Sequence, residues 1–120
     1  MLTFLAAIVL TGCSATDGDT IRCGRERIRL VGIDAPELPG HCRRGRTCAS
    51  GDPFRSKANI ATLLRRHPVT IRRFGSDRYG RTLALVSAGG IDLSCSQWRA
   101  GLATYRRDWD NGRTLARTCR

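Results

Sequence analysis

Apolar and polar residues alternate from Thr20 to Ile33, and the triplet Cys23-Gly24-Arg25 interrupts them once. A period of two is the signature of a half-buried strand, and a glycine-containing break is where such a strand reverses. The segment therefore predicts a hairpin. In its second arm Ile28, Leu30 and Gly32 share one face, and Arg27, Arg29, Val31 and Ile33 share the other. The arm stops at Asp34-Ala35-Pro36-Glu37, because proline has no N–H for a ladder.

Further strands are expected in Val69–Phe74 and in "RTLALVS", with Ala88-Gly89-Gly90 turning the chain into "IDL". A helix should open at Asp52-Pro53, an acid at the cap and proline in the first turn. Its predicted inner face is Phe54, Ala58, Ala61 and Leu64. Asp92 can cap a short helix running through Trp98 and Arg99, with Gly101 as its stop. The tail from Asp110 to Arg120 is expected to hold one more short helix. Residues 38–53 read as a loop rich in Gly, Pro, Arg and Cys. Short strands, long loops and an inserted helix suggest a small closed barrel in a single domain.

The charge is one-sided. Twenty-one basic residues face ten acidic ones, a formal net charge of +11. Such a field favours polyanions, nucleic acid first and anionic membrane surface second. Yet Asp17, Asp19, Glu26, Asp34 and Glu37, half of the acids, crowd into residues 16–37.

Six cysteines without a C-x-x-C pair point away from zinc ribbons and towards a disulfide-stapled, exported domain. Spacing leaves fifteen connectivities open. Cys42 with Cys48 closes a short loop, and Cys95 with Cys119 would tie the chain end to the body. The apolar residues 1–14 form a separate segment ahead of a domain spanning 15–120. "LTFLAAIVL" reads as the apolar stretch of an export signal, and "LTGC" resembles a lipobox with Cys13 as the lipidated residue. A first strand from Ala6 to Thr16 is the third reading. Membrane attachment through lipidated Cys13 is the less favoured outcome, and periplasmic or secreted localisation is expected.

Four features carry chemistry. Asp19 and Asp34 end two strands that the hairpin brings together, and paired carboxylates repel unless a cation lies between them. Hard oxygen ligands suit Ca²⁺ or Mg²⁺. The alternative is that Asp17 and Asp19 serve only a tight Asp-Gly-Asp turn. Arg29 lies an odd number of residues before Asp34, so a bulge at Gly32 is needed to bring both to one site. Glu37 is placed to take a proton from water beside a metal, or else is a loop surface residue. "DRYGR", Asp77 to Arg81, sets Tyr79 and Arg81 around a glycine turn, an arginine fork for phosphate beside a ring for a base.

Taken together, "DGDTI", "RIRLVGIDAPE", "DRYGRTLA" and "GLA", in this order, resemble the staphylococcal nuclease family across Ala15 to Tyr105. The resemblance implies a mainly β fold with helices (α+β), a five-stranded OB-type barrel with about three short helices. It implies Ca²⁺ held by Asp19, Asp34 and the backbone carbonyl of Ala35. Arg29 and Arg81 would contact the scissile phosphate, and Glu37 would serve as general base or orient the attacking water. Arg78 and Tyr79 would bind substrate, with Tyr105, spaced one residue off the family pattern, as a further nucleotide contact. The family fold does not need cysteines. Here they would staple a shortened chain, with Cys13 and Cys23 the third pair if they face each other across the first hairpin.

The expectation is a monomeric, calcium-dependent phosphodiesterase acting on DNA and RNA with little sequence specificity. The rival is a catalytically inactive OB-type nucleic-acid-binding module. A cationic protein that binds anionic lipid is a third reading, and it leaves the clustered carboxylates unexplained.

Overall fold

The computed structural model describes residues 8–119. Among them are nine strand segments: β1 Ile8–Leu10, β2 Cys13–Ala15, β3 Thr20–Cys23, β4 Glu26–Leu30, β5 Ile33–Asp34, β6 Val69–Ser76, β7 Thr82–Ala88, β8 Ile91–Asp92 and β9 Thr104–Tyr105. The helices are α1 Pro53–Leu64, α2 Leu93–Arg99 and α3 Thr114–Thr118, preceded by 3-10 turns at Arg107–Trp109 and Asn111–Arg113.

The larger sheet runs β1-β6-β7-β4-β3-β2, with β8 on β7, and β5 pairs with β9 separately. Its two ends, β1 and β2, are one stretch of chain bent at Thr11-Gly12, where Gly12 has φ +63°. Half of that stretch pairs with β6 and half with β3. The sheet thus returns on itself, as a small barrel does. Counted as runs of chain, the main circuit has the five expected members. Two of the four extra segments arise where strands bend, and the other two are the short strands β8 and β9. Gly32, at φ +79°, separates β4 from β5, and a register shift between Arg73 and Gly75 bulges β6 against β7.

The hairpin forms as its alternation predicts. Ile21 faces Ile28, both fully buried, and Arg22 faces Arg27 on the outer surface. Ile33 departs from expectation. It shares parity with Arg27 and Arg29 but is fully buried, because the turn at Gly32 swings it inward to pair with Tyr105. Leu115 packs over that turn, and a Cβ on Gly32 would lie 2.6 Å from its Cδ2.

Helix α1 begins where predicted. Asp52 Oδ1 accepts from the backbone N–H groups of Phe54 and Arg55 at 2.9 and 3.3 Å. Its inner face meets the predicted one at Leu64, with Ala61 half-buried, and departs from it elsewhere. Ser56, Ile60, Leu63 and Leu64 are buried, while Phe54 is 62% exposed and Ala58 is exposed. The helix is turned to bury two polar side chains, Ser56 and part of Asn59, whose bonding partners lie far away in sequence. Helix α2 follows the reading closely, with Asp92 accepting from Cys95 N–H at 2.8 Å and Gly101 beyond its end at φ +69°.

Three disulfides join Cys13–Cys23, Cys42–Cys48 and Cys95–Cys119. The first links facing positions of β2 and β3, the second closes a ring within a loop, and the third ties α2 to the chain end. The predicted apolar leader falls partly outside the described residues. From Ile8 onward that stretch is strand, and no described helix is long and apolar enough to cross a membrane.

Candidate active site

The Asp17-Gly18-Asp19 turn enters β3. Asp17 Oδ1 accepts the Asp19 N–H at 3.0 Å, the local bond that makes aspartate a turn residue. The Gly18 backbone lies against α1, and a Cβ there would sit 1.8 Å from Ser56 Oγ. The turn is also held by Gln97 of α2. Its Nε2 donates to Gly18 O at 2.7 Å and to Ser56 O and Oγ at 2.9 and 3.0 Å.

This clamp aims Asp19 into the barrel wall, 5% exposed. Its Oδ2 accepts the Ala35 N–H at 2.8 Å and lies 3.4 Å from Arg29 Nη2, and its Oδ1 accepts from Thr20 Oγ1 at 3.1 Å. The Asp19 carboxylate therefore rests on the Asp34–Ala35 peptide, across the turn made by Gly32. Asp34 is 3% exposed and faces two guanidiniums, Arg46 Nη2 at 3.1 Å and Arg106 Nη1 at 3.7 Å. Arg46 Nη1 reaches Glu37 Oε1 at 3.0 Å, so one arginine spans both acids. Asp17 reports the crowding. Its carboxyl is pushed up to about 7, by burial first and then by the charge of Asp19, with Glu37 adding to it.

On the other side, Asp77 shapes the β6–β7 turn. Its Oδ1 accepts the Tyr79 and Arg81 N–H groups, both at 2.9 Å, and its Oδ2 takes Arg81 Nε at 2.7 Å. Burial raises the Asp77 carboxyl, but these donors and the Arg81 charge outweigh it and hold it below its ordinary value. The Arg81 side chain is thereby fixed, with its guanidinium 5.4 Å from the Tyr79 ring centre.

A cleft of about 790 Å³ collects Asp19, Arg29, Glu37, Arg78, Tyr79 and Arg81 along one wall or another. These are six of the site residues expected from sequence. Asp34 and Ala35 lie behind the wall, buried. Tyr105 is placed elsewhere. It stacks on Trp98 with ring centres 4.2 Å apart and donates its hydroxyl to Asp110 at 2.7 Å. Several cleft residues had no sequence signal, among them one ring and two arginines. Trp109 sits under Arg29 at 5.3 Å, and Arg43 and Arg46 enter from the Cys42–Cys48 ring. The cysteine spacing marked the ring, but nothing in an irregular arginine-rich loop said which arginines point inward.

Chemically, the cleft offers fixed cations for an anion and the Glu37 carboxylate for a proton, with the nearly buried carboxylates of Asp19 and Asp34 beside them. Two comparisons with known proteins bear on this arrangement. A family model described as "Staphylococcal nuclease homologue" matches residues 27–118, a stretch that holds Arg29, Asp34, Glu37 and Arg81 and begins after Asp19. A protein of Haemophilus influenzae named "Uncharacterized endonuclease" is 32% identical over 120 aligned residues, covering 86% of this chain. The chain spans 62% of that relative's length.

Proposed function

This chain belongs to the staphylococcal nuclease homologue family, and from that premise we propose that it is a phosphodiesterase that hydrolyses DNA and RNA in a calcium-dependent reaction. One observation carries the reading: Arg29 from β4 and Arg81 from the β6–β7 turn line the same cleft as Glu37 and Asp19.

In the proposed reaction the phosphodiester lies between Arg29 and Arg81. Their guanidiniums donate to its non-bridging oxygens and stabilise the charge that grows as water adds to phosphorus. Glu37 orients that water and accepts its proton as the new P–O bond forms, while the bond to the leaving oxygen breaks. Asp77 holds Arg81, and Trp109 lies under Arg29, so both donors are positioned before substrate arrives.

The ligand set is compatible with a hard cation. Asp19 and Asp34 are buried carboxylates, and Asp19 accepts the N–H of Ala35, the residue after Asp34. Among the described residues no group of three or more His, Cys, Asp and Glu converges as a metal cage. In this proposal Asp19, Asp34 and the Ala35 carbonyl would hold the ion, with the rest of its shell open. When bound, Ca²⁺ would neutralise phosphoryl oxygens as a Lewis acid. The basic surface supports retention of a polyanion without base readout, and the disulfides support an exported protein.

Arg29→Ala and Arg81→Ala test the reading on plasmid DNA and on RNA. Each should lower kcat by about 10²–10³, the cost of one transition-state donor. Variants that keep more than about a third of the activity would show that neither arginine serves the reacting phosphate.

A further inference from the structure

The chain between β5 and α1 has no strand or helix of its own. A free segment of that length would close poorly over a substrate, because ordering it on binding costs conformational entropy. Here the Cys42–Cys48 disulfide closes a ring at a sequence separation of six. Two arginines of the ring reach the cleft in different directions.

Arg46 points to the acids and fastens the ring to Asp34 and Glu37 at 3.1 and 3.0 Å. Arg43 points across the cleft to the β6–β7 turn. Its Nη1 donates to the Tyr79 hydroxyl oxygen at 2.9 Å, with its guanidinium 5.1 Å from the ring centre. Arg78 donates to the same oxygen at 2.7 Å and lies 4.9 Å from that centre. Arg81 is the third guanidinium over this ring.

Only one of the three has a carboxylate. Asp77 pairs with Arg81, and among the described residues no acid pairs with Arg43 or Arg78. Tyr79 is 40% exposed, so the convergence happens at the open side of the cleft. Uncompensated like charges gathered on one neutral oxygen repel, and an anion among them converts that repulsion to attraction. Paired guanidinium forks match the geometry of a phosphate.

We propose that the Cys42–Cys48 loop is a substrate clamp. Arg43 binds a backbone phosphate of the nucleic acid next to the scissile one, Arg46 is the strut that fastens the loop, and the disulfide keeps Arg43 within reach. This rests on the nucleic-acid reading above and adds a binding residue that neither the carboxylates nor the Tyr-Gly-Arg turn contains. It also gives the second disulfide a task, preorganising a contact.

The test is binding, not cleavage. The full chain, disulfides intact, is titrated in chelator with a fluorescent oligothymidylate across a salt series. Arg43→Ala should weaken binding by about 3- to 5-fold, the upper end for a charge-assisted contact at an exposed site. It should also make the salt slope shallower by about 0.7, one single-strand phosphate contact. Cys42→Ala/Cys48→Ala should weaken binding by a comparable factor. Combining the two changes should add little, because both remove the same contact. If the cysteine variant does not fold, Arg46→Gln takes its place in the cycle. Arg43→Ala binding within about twofold of the parent with an unchanged slope overturns the clamp. Fully additive effects overturn the link between ring and arginine. If the parent chain itself does not bind, the nucleic-acid reading fails and the clamp fails with it, so the two failures are distinguishable.

Discussion

Gln97→Leu is the sharpest test of how the fold aims Asp19. Gln97 is fully buried. Its Nε2 serves Gly18 O and both oxygens of Ser56, and its Oε1 accepts from Asn59 Nδ2 at 2.7 Å. Leucine keeps similar bulk and removes every one of these bonds. Ser56 Oγ keeps its bond to Leu102 O at 2.8 Å, and Asn59 keeps Ser96 Oγ at 3.2 Å. Gly18 O is left buried without its donor. An orphaned buried carbonyl costs about 1–3 kcal/mol and the lost Asn59 bond about 1 more, so the change should destabilise by about 2–4 kcal/mol. At about 2.1 cal/mol/K of unfolding entropy per residue, a 120-residue chain has about 0.25 kcal/mol/K, and Tm should fall by about 8–16 °C. Calorimetry of the two proteins measures this directly. Well below Tm, nuclease activity should fall by more than the unfolded fraction explains, because Gly18 is the neighbour of Asp19. A Tm change under about 3 °C would refute the claim that Gln97 holds the turn.

Two other changes probe the same framework. Gly18→Ala would set a Cβ 1.8 Å from Ser56 Oγ and 2.8 Å from the Cβ atoms of Ser56 and Ala35. It should cost about 1–3 kcal/mol or more in thermal unfolding, and Ser56→Ala should not restore the loss, since the Cβ contacts remain. Asp110 is 3% exposed and accepts from Tyr105 Oη and from the Leu115 and Ala116 N–H groups. Burial raises its carboxyl, but those donors more than offset it and hold it below the ordinary 3.8. A depressed folded value contributes stability that is complete above the ordinary value and is lost as pH falls through the folded one. Asp110→Asn should therefore be less stable at neutral pH by about 1–3 kcal/mol, and the gap in denaturant midpoint should close in acid.

The hairpin, its turn and its outward arginines were legible because a two-residue period survives in the sequence. The caps at Asp52 and Asp92 were legible because their partners are two or three residues away. The inner face of α1 was legible only toward its end, at Leu64. It buries Ser56, whose reasons are Gln97 and Leu102, more than forty residues on. Ile33 was misplaced because the chain turns at Gly32, φ +79°, and the alternation ends there: Ile33, Asp34 and Ala35 are all buried. The same turn brings Asp34 and Ala35 onto Asp19, so the irregularity that spoils the alternation also assembles the acids. Arg43, Arg46 and Trp109 were invisible for a plainer reason. They act from a loop and a one-turn 3-10 segment, where direction is set by a disulfide or a neighbouring side chain and not by periodicity.

The most direct measurement is digestion of plasmid DNA and of RNA in three arms: the chain with Ca²⁺, the chain with EGTA, and Glu37→Gln with Ca²⁺. The account predicts cleavage of both substrates in the first arm and none in the second. In the third arm the rate should be lower by about 10²–10⁴, the contribution of a positioned acid or base. Equal cleavage in all three arms would contradict it.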